Sequence, residues 1–61
     1  MPNFVDHLDK AAEYESDDNL RACYRELLKA RRQTTDHNEL YSIARWMESV
    51  DKRMEEQEPT Q

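Results

Sequence analysis

The sequence predicts an all-α protein, an antiparallel helical hairpin preceded by a short N-terminal helix, on the strength of three observations. The chain of 61 residues has no glycine, and its two prolines, Pro2 and Pro59, lie at the ends. Strong helix formers such as Ala, Leu, Glu, Lys and Arg are plentiful. Apolar residues recur at gaps of three and four, the spacing of one helical face. We assign residues 1–56 to a single helical domain and 57–61 to a disordered C-terminal tail.

The first helix is expected over residues 4–14. Asn3 is a suitable N-cap, and the apolar face comprises Phe4, Val5, Leu8, Ala11 and Ala12. The apolar pattern then stops in an acidic stretch, so we expect a break at 15–18, with Ser16 or Asp17 capping the next helix. Because neither glycine nor proline enforces a stop there, one long helix over 4–33 is the alternative.

The second helix is expected over residues 17–33 and carries two different faces. Its apolar face comprises Leu20, Cys23, Tyr24, Leu27 and Ala30, and its adjoining basic side comprises Arg21, Arg25, Lys29 and Arg32. The connection that follows, residues 33–35, is too short for anything except a tight turn. The second and third helices should therefore be antiparallel neighbours.

The third helix is expected over residues 36–55 and contains the most regular apolar stripe of the chain. Asp36 is the predicted N-cap, and Glu39 stands at the capping-box spacing. The stripe comprises Leu40, Ile43, Met47, Val50 and Met54. It has two interpretations: the core of a single chain, or a face shared with a second copy in a coiled-coil-like seam. Ala44 and Trp46 flank it and widen the apolar arc, which favours the shared face.

A homodimer is expected because so short a chain buries only about 60% of the surface of its unfolded form. One cysteine cannot form an internal disulfide, and no Cys/His cluster suits zinc. Self-association is the remaining means of stabilisation. The residues predicted for the core or the dimer seam are Leu40, Ile43, Met47, Val50, Met54, Leu20, Leu27 and Phe4.

The charge layout suggests where a partner binds. The net charge is −5, but residues 21–35 carry five bases and one acid between two acidic segments. Either neighbouring helices match their charges within the chain, or the protein presents one basic surface. The candidate partner-binding residues are Tyr41, Trp46, Arg21, Arg25, Lys29 and Arg32. We expect an unidentified protein partner, and nucleic acid bound by the basic side of the second helix is the alternative.

No pattern in the chain predicts catalysis, a cofactor or a small-molecule substrate. His7 and His37 have no metal-ligand spacing with Cys23, and Cys23 lies on an apolar face, as a small buried hydrophobe does. No apolar run approaches the roughly 20 residues of a membrane helix, and the N-terminus has no signal-peptide pattern. We therefore expect a cytoplasmic protein that is not an enzyme and does not bind membranes.

The glycine-free hairpin of residues 17–56, with its tight polar turn, resembles the small two-helix proteins that pair into four-helix bundles, such as plasmid copy-number regulators of the Rop type. It is also similar in style to small accessory proteins of temperate phages. The resemblance rests on architecture, without shared motif residues. It implies a dimeric regulator that binds a host or nucleic-acid target. The additional N-terminal helix is a departure from the Rop type.

Overall fold

The computed structural model describes residues 3–57, which form three helices: α1 (Phe4–Ser16), α2 (Leu20–Arg32) and α3 (His37–Gln57). Within these residues there are no strands. The all-α prediction with three helices is therefore confirmed. The molecule measures 37 × 21 × 15 Å. The longest helix is α3, whose 21 residues span about 31 Å at the rise of an α-helix.

The helix α1 begins where the sequence indicated. The Asn3 side chain accepts a hydrogen bond from the Asp6 backbone amide at 3.0 Å, and the Asp6 carboxylate accepts from the Asn3 amide at 3.3 Å. This reciprocal pair is a capping box, which satisfies amides that the first helical turn leaves without partners. The helix then continues to Ser16, two residues past the predicted end.

A turn at residues 17–19 separates α1 from α2, which excludes the single long helix. Asp18 has φ of 63°, in the left-handed region, and its amide and that of Asn19 donate to the carbonyls of Glu15 and Tyr14 at 3.0 and 2.8 Å. This is the Schellman pattern that ends helices. The Asn19 side chain then caps α2 by accepting from the Ala22 amide. The expected caps at Ser16 and Asp17 were wrong, and α2 begins later, at Leu20.

The connection to α3 uses Asp36 as the N-cap, as expected. Its carboxylate accepts from the amides of Asn38 and Glu39 at 2.8 and 3.2 Å. In a capping box Glu39 would accept a hydrogen bond directly from the Asp36 amide. Here the Thr34 side chain bridges the two groups. The Thr34 hydroxyl donates to the Glu39 carboxylate and accepts from the Asp36 amide. The turn is therefore held by side chains, without glycine.

The core lies where α2 packs against both of its neighbours. The buried residues are Ala11, Leu20, Cys23, Leu27, Ala30, Ile43, Met47 and Val50. Five of them were predicted for the core or the dimer seam, namely Leu20, Leu27, Ile43, Met47 and Val50. A single chain buries them, so these five side chains are not available to a second copy. Of the third-helix stripe, only Leu40 and Met54 are partly exposed and could contact a second copy.

The end of α3 lies beyond its predicted position. It reaches Gln57 although Glu55 and Glu56 place negative charge at the unfavourable end of the helix dipole. Gln57 Nε2 donates to both carboxylate oxygens of Asp18, at 2.8 and 2.9 Å. This contact with the α1–α2 turn holds the last helical turn. Of the predicted tail, Gln57 is helical, and residues 58–61 lie outside the described residues.

Candidate functional site

Two grooves, one of them largely apolar, and one basic helix face are the candidate binding surfaces of this fold. The first, the α1–α3 groove, exists because α1 and α3 each pack on α2 while their backbones stay apart: no Cα atom of α1 lies within 8 Å of one of α3. The groove has a volume of about 380 Å³ and is lined by Phe4, Leu8, Asn38, Glu39, Ser42, Ile43 and Trp46. It is therefore a largely apolar channel between two parallel helices.

Trp46 is fixed at the side of the α1–α3 groove by polar contacts with α1. Its indole Nε1 donates to Glu15 Oε1 at 3.2 Å, and the other oxygen of Glu15 accepts from Arg53 at 2.9 Å. Arg53 also lies 3.4 Å from Asp18. These contacts connect α1 to α3 where the helix backbones stay apart. The hydrogen bond at Nε1 thus fixes the orientation of the indole, and the ring remains partly exposed at the groove.

The second groove, the α2–α3 groove, lies on the opposite side of α3 and has a volume of about 600 Å³. It is lined by Tyr24, Arg31, His37, Leu40, Tyr41, Ala44, Met47, Glu48 and Asp51. Tyr41 is 63% exposed, as expected for a contact residue. Its hydroxyl accepts from Arg45 at 3.1 Å, and the guanidinium lies 5.8 Å from the ring centroid, within cation–π range.

The third surface is the outer face of α2, which carries the predicted bases. Arg21, Arg25, Lys29 and Arg32 are all exposed, and Leu28, 38% exposed, lies among them. Lys29 pairs with Glu26 of its own helix at 3.3 Å, whereas Arg25 and Arg32 form no ion pair with another described residue. Charge matching between helices also occurs, where Arg53 of α3 pairs with Glu15 of α1.

His7 and Glu26 form a contact that the sequence did not indicate. His7 Nδ1 lies 2.9 Å from Glu26 Oε1, and both side chains are only 12% exposed. The hydrogen bond from His7, with a smaller contribution from Lys29, lowers the pKa of the Glu26 carboxyl below its ordinary value of 4.5. The pair joins α1 to α2 at the edge of the core, which is a structural role.

Cys23 is fully buried and forms no disulfide. Burial, assisted by the negative charge of Glu15, raises the pKa of its thiol from 9.0 to about 11. A nucleophilic cysteine needs the opposite shift, because the thiolate is the reactive form. Cys23 is therefore a small core residue, in agreement with its place on the apolar face of α2.

The structure distributes the predicted partner-binding residues over three separate surfaces. Trp46 lies at the α1–α3 groove, Tyr41 at the α2–α3 groove, and the four bases on the outer face of α2. The sequence prediction missed Leu8 and Ser42 of the first groove and Ala44 of the second. The helical face of each of these residues can be predicted from the sequence. The gap between α1 and α3, which places Leu8 and Ser42 in a groove, cannot.

No group of three or more His, Cys, Asp or Glu side chains within residues 3–57 could hold a metal ion. None of the three helices is both long and apolar enough to cross a membrane.

The fold and surfaces define a class: a small three-helix protein whose helices leave grooves on two sides. Comparison of the chain with protein-family models, with curated proteins and with solved structures gave no match.

Proposed function

We propose that this chain is a non-enzymatic interaction protein, a homodimeric cytoplasmic regulator of the phage or plasmid accessory type, that binds one amphipathic helix of another protein in the α1–α3 groove. One observation carries the proposal. Both α1 and α3 pack on α2 yet remain more than 8 Å apart at every Cα, so the groove between them leaves Phe4, Leu8 and Trp46 partly exposed. A fourth helix in this groove completes a bundle, which is a recurrent mode of peptide recognition.

The groove specifies the chemistry of its ligand. Its α3 wall runs from Asn38 to Trp46, about 12 Å or two helical turns. Two turns accept three apolar side chains at i, i+3 or i+4, and i+7. Trp46 supplies the kind of rigid aromatic surface that dominates binding energies.

The charges around the groove favour a basic ligand helix. Glu39 lies on the rim formed by α3. Among the residues that line the groove, Glu39 is the one charged side chain. A ligand helix with lysine or arginine between its apolar positions would complement this surface. An acidic helix would meet like charges, so the sign of the ligand charge is part of the proposal.

Selection from a displayed library of random peptides tests the proposal. We expect the enriched sequences to share the i, i+3/i+4, i+7 apolar spacing and a net positive charge. Trp46 is the only tryptophan of the chain. A synthetic peptide made from the enriched sequence should therefore shift Trp46 fluorescence to shorter wavelength, as water leaves the indole.

A matched pair of surface variants locates the binding. Ser42 lines the groove and Ser49 does not, yet both are exposed residues of α3. Ser42→Arg places bulk and positive charge in the groove and should weaken peptide binding at least about 10-fold, whereas Ser49→Arg should leave it unchanged. Equal binding by both variants, or no enrichment of helical sequences, contradicts the proposal.

Nucleic-acid binding by the outer face of α2 is the second candidate, because this face presents Arg25 and Arg32 without a described carboxylate partner. Such binding weakens steeply with salt, in proportion to the number of phosphates neutralised. A mobility shift at low salt that disappears in the double variant Arg25→Glu, Arg32→Glu favours this candidate. If the protein shifts the mobility of neither single-stranded nor duplex nucleic acid, this candidate is excluded.

A further inference from the structure

The α2–α3 groove has a regular arrangement along α3. Its lining residues on this helix are His37, Leu40, Tyr41, Ala44, Met47, Glu48 and Asp51. They lie three, four and seven residues before and after Ala44, so this small exposed residue is the midpoint of the lined face. If a second α3 helix runs antiparallel to the first and crosses it at Ala44, each lining position of one helix lies opposite a lining position of the other. The surface can therefore meet a reversed copy of itself.

The charges of this groove differ between its two ends. Arg31 and His37 lie together where α2 ends and α3 begins, whereas Glu48 and Asp51 lie further along α3. An antiparallel copy places its acidic end over the basic end of the first. The same pairing then occurs twice, as a two-fold interface requires. A parallel copy would instead bring like charges together.

We propose that a second copy of this chain occupies the α2–α3 groove, with the two α3 helices antiparallel and a two-fold axis crossing them at Ala44. The assignment rests on the proposal that the working unit is a homodimer, and it names the surface and the register. Position 37 then faces position 51 of the partner, and 40 faces 48. The contact surface is the flank of α3 and not the buried part of its apolar stripe.

The side chains of the groove suit a helix-to-helix contact. Ala44 at the axis allows two backbones to approach closely. Tyr41, 63% exposed in the single chain, and the partly exposed Leu40 and Tyr24 supply apolar and aromatic area beside it. Tyrosine is common among the residues that dominate interface energies. Two copies joined here leave both α1–α3 grooves open, because those grooves lie on the other side of α3.

Sedimentation equilibrium over a dilution series tests the surface. We expect the wild-type chain to be a dimer at tens of micromolar. Ala44→Arg places a charged, bulky side chain at the axis, twice in each dimer, and should raise the dissociation constant at least about 10-fold. The matched control is Ala12→Arg, the same substitution at an exposed alanine of α1, which should leave the dissociation constant unchanged.

Charge reversal tests the antiparallel register. Arg31→Glu should weaken the dimer, because it then opposes the acids of the partner. The double variant Arg31→Glu, Asp51→Arg restores opposite charges across the two-fold axis and should recover most of the lost affinity. These residues are exposed in the single chain, so the folded state of each variant can be verified by its helical circular dichroism.

Cross-linking gives a third readout that does not depend on the stability of the Arg variant. Ala44→Cys brings two thiols together at the axis, and mild oxidation should produce a disulfide-linked dimer. Ala12→Cys should remain monomeric on a non-reducing gel, as should the wild type, whose Cys23 is buried.

The outcomes separate the interface from the homodimer itself. A wild-type chain that is monomeric at tens of micromolar overturns both. A dimer that survives Ala44→Arg, is weakened equally by Ala12→Arg, or is not restored by the charge-reversed pair overturns this interface and leaves the homodimer proposal standing. Peptide binding in the α1–α3 groove is measured independently of all these results.

Discussion

At the scale of single residues, the contact between His7 and Glu26 is where pH should act on stability. The hydrogen bond from His7 lowers the pKa of the Glu26 carboxyl in the folded chain. A group whose pKa is lower when folded stabilises the fold while it is ionised. This contribution is complete above the ordinary carboxyl value of 4.5, and it is lost as the pH falls through the lower, folded-state value.

We expect His7→Phe to lower the free energy of unfolding by about 1–2 kcal/mol near neutral pH, since the variant removes a hydrogen bond to a charge that is only 12% exposed. The difference from wild type should shrink in acid, where Glu26 is protonated in both chains. Urea titrations at several pH values, followed by circular dichroism, measure it. Lys29→Met, which removes the more exposed partner of Glu26, should have a smaller effect. A difference that is independent of pH contradicts the prediction.

Residue-scale features were predictable from the sequence when they depend on neighbours along the helix. The caps Asn3 and Asp36 follow from short motifs, and the burial of Cys23 and the exposure of Tyr41 follow from helical periodicity. The contacts of Trp46 with Glu15 and of Glu26 with His7 join residues 31 and 19 positions apart. Such pairs depend on how helices pack, which periodicity does not specify.

At the scale of helices, the turn between α1 and α2 is the feature that the sequence located least accurately. Asp17, Asp18 and Asn19 all favour turns and caps, so several boundaries fit the local sequence equally well. The structure selects Asp18 for the left-handed position, where its carboxylate also reaches Arg53 and Gln57 of α3. The same residue thus ends α1 with its backbone and contacts the last turns of α3 with its side chain.

Substitutions at Asp18 should separate its backbone role from its side-chain role. Asp18→Ala loses the contacts with α3 and places a Cβ that favours right-handed conformations at a left-handed position, so it should destabilise the chain by about 1–2 kcal/mol. Asp18→Gly loses the same contacts but relieves the backbone, and should cost less. Thermal melts compare the two. If glycine is the more damaging substitution, the turn is not held in the left-handed conformation.

At the scale of the whole molecule, α2 is the central element, and α1 and α3 pack on it without closing on each other. This arrangement explains why the candidate binding residues face in three directions. It also explains why the stripe of α3 is core in its middle, at Ile43, Met47 and Val50, and less covered at Leu40. The number of helices was predictable from periodicity. Their spacing was not, because it results from side chains of all three helices together.

The small size of the chain makes its core sensitive to a single charge. A domain of 61 residues is expected to be stable by roughly 3–9 kcal/mol, at about 0.05–0.15 kcal/mol per residue. Met47 is 8% exposed and packs in the core cluster. Met47→Asp buries a carboxylate without a partner, a change of about 3–5 kcal/mol when a buried charge is left unpaired. The loss is comparable with the whole stability of the chain.

We therefore expect Met47→Asp to lack a cooperative melt at ambient temperature and to show reduced helical circular dichroism. Ser49→Asp, the same charge added to an exposed position of the same helix, should keep the helical content of the wild type. The comparison removes any general effect of aspartate on helix formation, because both sites lie in the interior of α3. If Met47→Asp melts like the wild type, Met47 does not belong to the core, and the packing of α3 against α2 must differ from the arrangement described.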